Sequence, residues 1–298
     1  MSIVAAIGLG VLIGTVLGAL GGAGGILTVP ALVYLLGQNA QDATTSSLVI
    51  VGLTALVGAA THARSGHVQW RTGIAFAVAG IIAAVAGTAL NRRVDEHILL
   101  LGVSAVMIVA ASAMLYHARR DSHADSQDHE HHAAPAGTGP TAWVPRRAYG
   151  PAAVTAQLSH PASDQAQERQ RGRTALAVKV LLAGLTVGFL TGFLGVGGGF
   201  VIVPALILAF SLPMPVAVGT SLVIIAINSA ASLAARAGQA HFDWDLIVPF
   251  TIAAMAGSLA GKAIADRLPN AALHRAFTIL LFAVATYIAI NSALSFSW

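Results

Sequence analysis

The sequence has 298 residues, 56% of them hydrophobic and only 9% charged, with a formal net charge of +4. A soluble domain carries roughly a quarter charged residues, so this chain cannot cover a globular surface with polar groups and takes lipid as its main solvent. It contains no cysteine, which excludes disulfides, thiolate metal sites and cysteine nucleophiles, and no basic stripe with interleaved aromatics that would suit nucleic acid.

In chain order, apolar segments of spanning length occur at Ile3–Leu20 and at residues 44–63, 72–90 and 97–116. They recur at 175–194, 216–235, 246–264 and 273–292. A hydrocarbon core of about 30 Å needs about 20 such residues in a helix, so eight crossings are expected. The first segment lacks a basic leader and runs straight into glycines, so it reads as a membrane helix and not as a cleaved signal peptide. Two shorter apolar pieces, 26–36 and 200–210, are too short to span at about 1.5 Å per residue and read as half-helices.

The two sets repeat. Pro30 and Pro204 lie 174 positions apart, and the same offset pairs Gly14 with Gly188, Gly18 with Gly192, Gly21 with Gly195 and Gly25 with Gly199. It continues through Ser47-Leu48-Val49 against Ser221-Leu222-Val223, His67 against His241, Trp70 against Trp244 and Gly87 against Gly261. Duplicated halves are a feature of secondary transporters. The chain is therefore expected to be all-α and polytopic: a first transmembrane repeat at 1–118, a connector at 119–173 and a second repeat at 174–298. The connector holds almost half of the charged residues and has no apolar periodicity, so it is expected to be disordered. With eight crossings, Lys and Arg placement puts both termini and the connector on the cytoplasmic side of an inner membrane. If the short pieces cross instead, each half becomes odd-numbered and the halves are inverted.

Four sets of residues are candidates for chemistry. The first is the paired glycine segments, Gly21, Gly22, Gly24 and Gly25 with Gly195, Gly197, Gly198 and Gly199. Consecutive glycines forfeit about 1 kcal/mol each of helix stability relative to alanine, and broken chain in a bilayer is tolerated only inside protein or beside a wet cavity. The amides opening the half-helices would then point at an anion, whereas Gly14, Gly18, Gly188 and Gly192 suit close helix packing. The second set is Thr45, Ser46, Ser47, Thr220 and Ser221, at the starts of equivalent helices, able to cap them or to donate to an oxyanion. The third is Arg64 and Arg236 at helix ends, which either snorkel or meet an incoming anion. The matched His67 and His241 either face water in loops or couple transport to protons, and Trp70 and Trp244 are interfacial anchors. The fourth is His123, His129, His131 and His132 among connector carboxylates, a composition that suits a loose divalent-metal site or simply a solvated tract.

At the glycine segments running into Pro30 and Pro204, the Thr/Ser-Ser-Leu helix starts and the Gly-x-Val-x-Trp-like turn at 66–70, the sequence resembles the sulfite exporter TauE/SafE family, also described as the toluenesulfonate uptake permease family. The likeness covers both hydrophobic halves. It implies a multi-pass inner-membrane permease for sulfur-containing anions such as sulfite or organosulfonates. The chain departs from the pattern at Ala240, which replaces the turn glycine, at Gln69, where an acidic residue is usual, and in its long His-rich connector. A divalent-metal exporter using that connector is the alternative. No cofactor is expected. An intramembrane enzyme is disfavoured, because no His-Glu-x2-His, Gly-x-Ser-x-Gly or buried carboxylate pair is present.

Overall fold

The computed structural model describes residues 3–38, 40–91, 102, 104–116, 177–191, 193, 199–235 and 242–295. The regular structure among them is helical: α1 (Ile3–Leu20), α2 (Ala23–Pro30) continuing as a π-helical turn (Ala31–Leu35), α3 (Ala40–Arg64) and α4 (Trp70–Asn91). The short helices α5 (Ser104–Tyr116) and α6 (Ala177–Thr191) follow. They lead to α7 (Gly199–Phe210), α8 (Met214–Ala235), α9 (Trp244–Ala265) and α10 (Asn270–Ser295). Among the described residues, five helices are long and apolar enough to cross a membrane, at Asp42–Arg64, Trp70–Gly87, Met214–Ala234, Trp244–Ala265 and Asn270–Ile288. The connector, 119–173, lies outside the described residues.

Side-chain size sorts these helices between lipid and protein. Ile74, Val78, Ile82 and Val85 form an exposed stripe along α4, and Val248, Ile252 and Leu259 do the same on α9. Large apolar groups left uncovered at helical spacing make sense when the solvent is hydrocarbon. The inward contacts are made instead by small residues. A Cβ on Gly14 would run into the Ala254 carbonyl, one on Gly18 into that of Ser258, and one on Gly261 into that of Thr15. Without a hydrophobic drive between helices in lipid, such close backbone approach supplies the packing energy.

These contacts also fix direction. Gly10 meets Ala253, Gly14 meets Ala254 and Gly18 meets Ser258, so α1 and α9 run parallel. Gly184 meets Phe76 and Ala79 while Gly188 meets Gly80, so α6 and α4 run parallel. Gly52 meets Ser229 and Gly58 meets Leu222, so α3 and α8 run antiparallel. Ala6 in α1, Leu36 after the π turn, Ala43 in α3 and Ile247 in α9 share one apolar cluster. The chain therefore enters along α1 and comes back through α2 to the level at which α3 begins.

Candidate functional site

The site is built where α1 stops. Leu17 accepts the Gly21 N–H at 2.8 Å, closing the last turn of the helix, and Gly21 then takes φ +70°, a conformation that costs a residue with a Cβ roughly 1–2 kcal/mol. α2 starts at once and folds back, so closely that a Cβ on Gly24 would lie 2.7 Å from the Leu17 backbone nitrogen. Its opening bonds are long, with Gly24 N–H to Gly21 O and Gly25 N–H to Gly22 O both at 3.3 Å, and no side chain caps it. Pro30, which has no N–H to donate, and the π turn after it loosen the far end of the same half-helix.

The break faces the start of the second half-helix. A Cβ on Gly22 would run into the Gly199 carbonyl, and one on Gly199 would lie 2.7 Å from the Gly22 oxygen. The Ser221 hydroxyl is adjacent, 2.6 Å from where a Gly21 Cβ would sit. Gly21, Gly22, Gly199 and Ser221 are thus brought together. Gly25 approaches Val51 of α3, and Gly24 serves the hairpin. Gly195, Gly197 and Gly198 lie outside the described residues, as do Arg236, His241 and the histidines at 123, 129, 131 and 132. Among the described residues no group of three His, Cys, Asp or Glu could hold a metal ion.

The hydroxyls divide by what they touch. Ser221 Oγ donates to Val218 O at 2.8 Å, and Ser47 Oγ donates to Thr44 O at 2.7 Å. Thr220 Oγ1 accepts the Gln69 N–H at 3.1 Å, which ties the turn after α3 to the start of α8. Thr45 is buried, whereas Ser46 is fully buried with no partner for its oxygen. Arg64 is exposed in the last turn of α3, and the structure does not bring it to the break. His67 is half-buried in the turn that follows, its ring centre 6.4 Å from that of His62. Trp70 and Trp244 open α4 and α9 with about half their surface exposed, 52% and 55%, as interfacial anchors do.

Sequence reasoning missed His62 in α3 and Ser258 and Lys262 in α9, all buried beside the end of α1. No local pattern announces them, because the two helices that carry them are distant in the chain.

Among the described residues, long apolar helices with lipid-facing stripes and a helix broken inside the bundle are the features of a multi-pass membrane protein. The family model for the sulfite exporter TauE/SafE matches residues 6–288, and the chain belongs to that family. It is 29% identical over 290 residues to a "Probable membrane transporter protein" of Xylella fastidiosa (strain 9a5c), covering 96% of this chain and 95% of the relative. It is 25% identical over 291 residues to the "Probable membrane transporter protein YunE" of Bacillus subtilis (strain 168), covering 95% and 96%. No solved structure matches.

Proposed function

We propose that the protein is a secondary permease for small sulfur-containing anions, such as sulfite or an organosulfonate, in a bacterial-type inner membrane. The observation that carries this reading is the break at Gly21–Gly22 meeting the start of α7 at Gly199. Two half-helix beginnings converge there, and helix N-termini favour negative charge through their free amides and dipoles. The Ser221 hydroxyl beside Gly21 can serve an anion by turning its hydrogen away from Val218 O, to which it donates in this structure. With a negative interior, expelling one negative charge gains about 2.3 kcal/mol per 100 mV, so export needs no ATP.

The same reading makes the halves inverted repeats. The 174-residue offset relates Gly10 against Phe250 and Ala253 to Gly184 against Phe76 and Ala79, and Gly14 against Ala254 to Gly188 against Gly80. Equivalent helices α3 and α8 are antiparallel, which suits repeats related by an axis in the membrane plane. In this arrangement α1–α2 and α6–α7 are re-entrant hairpins, and α3, α4, α5, α8, α9 and α10 cross. This reading counts six crossings where the sequence alone suggests eight. The connector then lies on the opposite side from both termini, in place of the shared side expected from eight crossings.

The test is flux of radiolabelled sulfite and methanesulfonate in proteoliposomes under an imposed potential. The wild type carries at least one of them above protein-free vesicles. Gly22→Leu, whose side chain has to occupy the contact with Gly199, lowers the rate about five- to a hundredfold, the span of overpacking costs of 1–3 kcal/mol at the site. Indifference of the wild type to both anions sinks the substrate class.

A further inference from the structure

Just below the break, α3, α9 and the last turns of α1 enclose a second polar group of residues. α3 carries Gly58 and His62 one turn apart, and α9 carries Ser258 and Lys262 at the same spacing. A Cβ on Gly58 would lie 3.0 Å from Ser258 Oγ, and Gly18 packs against the Ser258 backbone. His62 Nε2 lies 3.2 Å from the Gly18 carbonyl oxygen. A carbonyl only accepts, so Nε2 carries the hydrogen.

The remaining atoms are the informative ones. His62 is 2% exposed and its Nδ1 has no partner; Ser258 is fully buried and its Oγ has none either. An unpaired buried polar atom costs about 1–3 kcal/mol, and two of them flanking one glycine contact suggest a partner that comes and goes. Lys262, 8% exposed, pairs with Asp266 at the end of α9.

With Nε2–H fixed on Gly18, neutral His62 presents a lone pair at Nδ1, and protonated His62 presents an N–H and a full positive charge. A small fully deprotonated oxyanion offers lone pairs only, so it is repelled by the first form and bound by the second. Ser258 donates its hydroxyl in either state, and Lys262 adds positive charge that Asp266 partly offsets. The other ionisable neighbour is His67 in the turn after α3; α1 and α8 carry no titratable side chain.

We propose that His62, Ser258 and Lys262 form a proton-linked subsite for a small oxyanion, so that occupancy of the site takes up one proton at His62 Nδ1. This rests on the permease reading and deepens it. The pathway then holds two stations, the amides of the break and this cationic one toward the α3 C-terminal side.

The test is sulfite exchange in proteoliposomes at equal internal and external pH, comparing wild type with His62→Gln. Sulfite's own titration cancels in the ratio of the two rates. The ratio falls by up to about tenfold per pH unit once His62 loses its proton, the limit for one required proton. A ratio flat across about pH 5.5–8 overturns the proposal. Ser258→Ala weakens sulfite affinity several-fold at every pH and leaves the slope in place. Independently of folding of any variant, adding methanesulfonate, which carries no proton in this pH range, to purified wild type in weak buffer draws protons from solution; no uptake at a saturated protein also overturns it. If the wild type moves neither sulfite nor methanesulfonate, the permease reading fails first; if it moves them with a flat ratio, only the subsite fails.

Discussion

Glycines that look alike in the sequence do different things at the scale of single residues. Gly8 has nothing within 4 Å of where a Cβ would be, whereas the same atom on Gly14 would run into the Ala254 carbonyl. Gly8→Ala should therefore leave thermal stability in detergent unchanged or raise it by up to about 1 kcal/mol, the helix propensity difference. Gly14→Ala should lower it by about 1–3 kcal/mol, because α1 has to move off α9. Gly21→Ala adds a left-handed backbone cost of roughly 1–2 kcal/mol to a Cβ 2.6 Å from Ser221 Oγ. The clustered glycines could be read from the sequence as backbone breaks or contacts. Which of them does which could not, because most of the deciding neighbours, such as Gly199, Ser221 and Ala254, are distant in the chain.

Elements show the same division between local and distant causes. The two half-helices were legible from apolar runs too short to span, and they stand at Ala23–Pro30 with its π turn and at Gly199–Phe210. Gly24 and Gly25 fall inside α2, not before it: at Gly24 the half-helix doubles back against Leu17 and only a residue without a side chain fits, whereas a Cβ on Gly25 would meet just Val51 at 3.7 Å. The hydroxyls at the helix starts were legible as caps or ligands. Thr220 turns out to hold a cross-chain bond to Gln69 N–H that no spacing rule contains. Thr220→Val keeps the shape and removes the acceptor, so it should cost about 1 kcal/mol in thermal stability, while Thr220→Ser should keep most of it. The turns leaving the half-helices also correspond: Gly37 has φ 64° and Ser211, 174 positions on, has φ 51°. Ser211 bears a strain that glycine avoids, and Ser211→Gly is expected to gain up to about 1 kcal/mol in the same assay.

For the whole molecule, the direction of the halves decides where every loop lies. In the inverted arrangement, Arg92, Arg93 and Arg236 fall on the side of the termini, and the rest of the 16 Lys and Arg fall on the side of the connector. With eight crossings they divide eleven to five, against thirteen to three here, so composition alone left the choice open. Cytoplasmic loops carry the excess of Lys and Arg, so the proposed inverted arrangement implies a cytoplasmic connector and both termini outside. The chain has no native cysteine, so single cysteines report cleanly. Ser2→Cys and Ser297→Cys should react with a membrane-impermeant maleimide in intact spheroplasts, and Ser126→Cys only after the membrane is permeabilised. Labelling of all three from one side would restore the shared-side topology. It would also contradict the antiparallel α3–α8 pair that Gly52 and Gly58 define, since repeats of like orientation would make those two helices parallel. The inverted arrangement places the His62 station at the α3 C-terminal side, so it meets cytoplasmic anions, and proton linkage there answers to cytoplasmic pH.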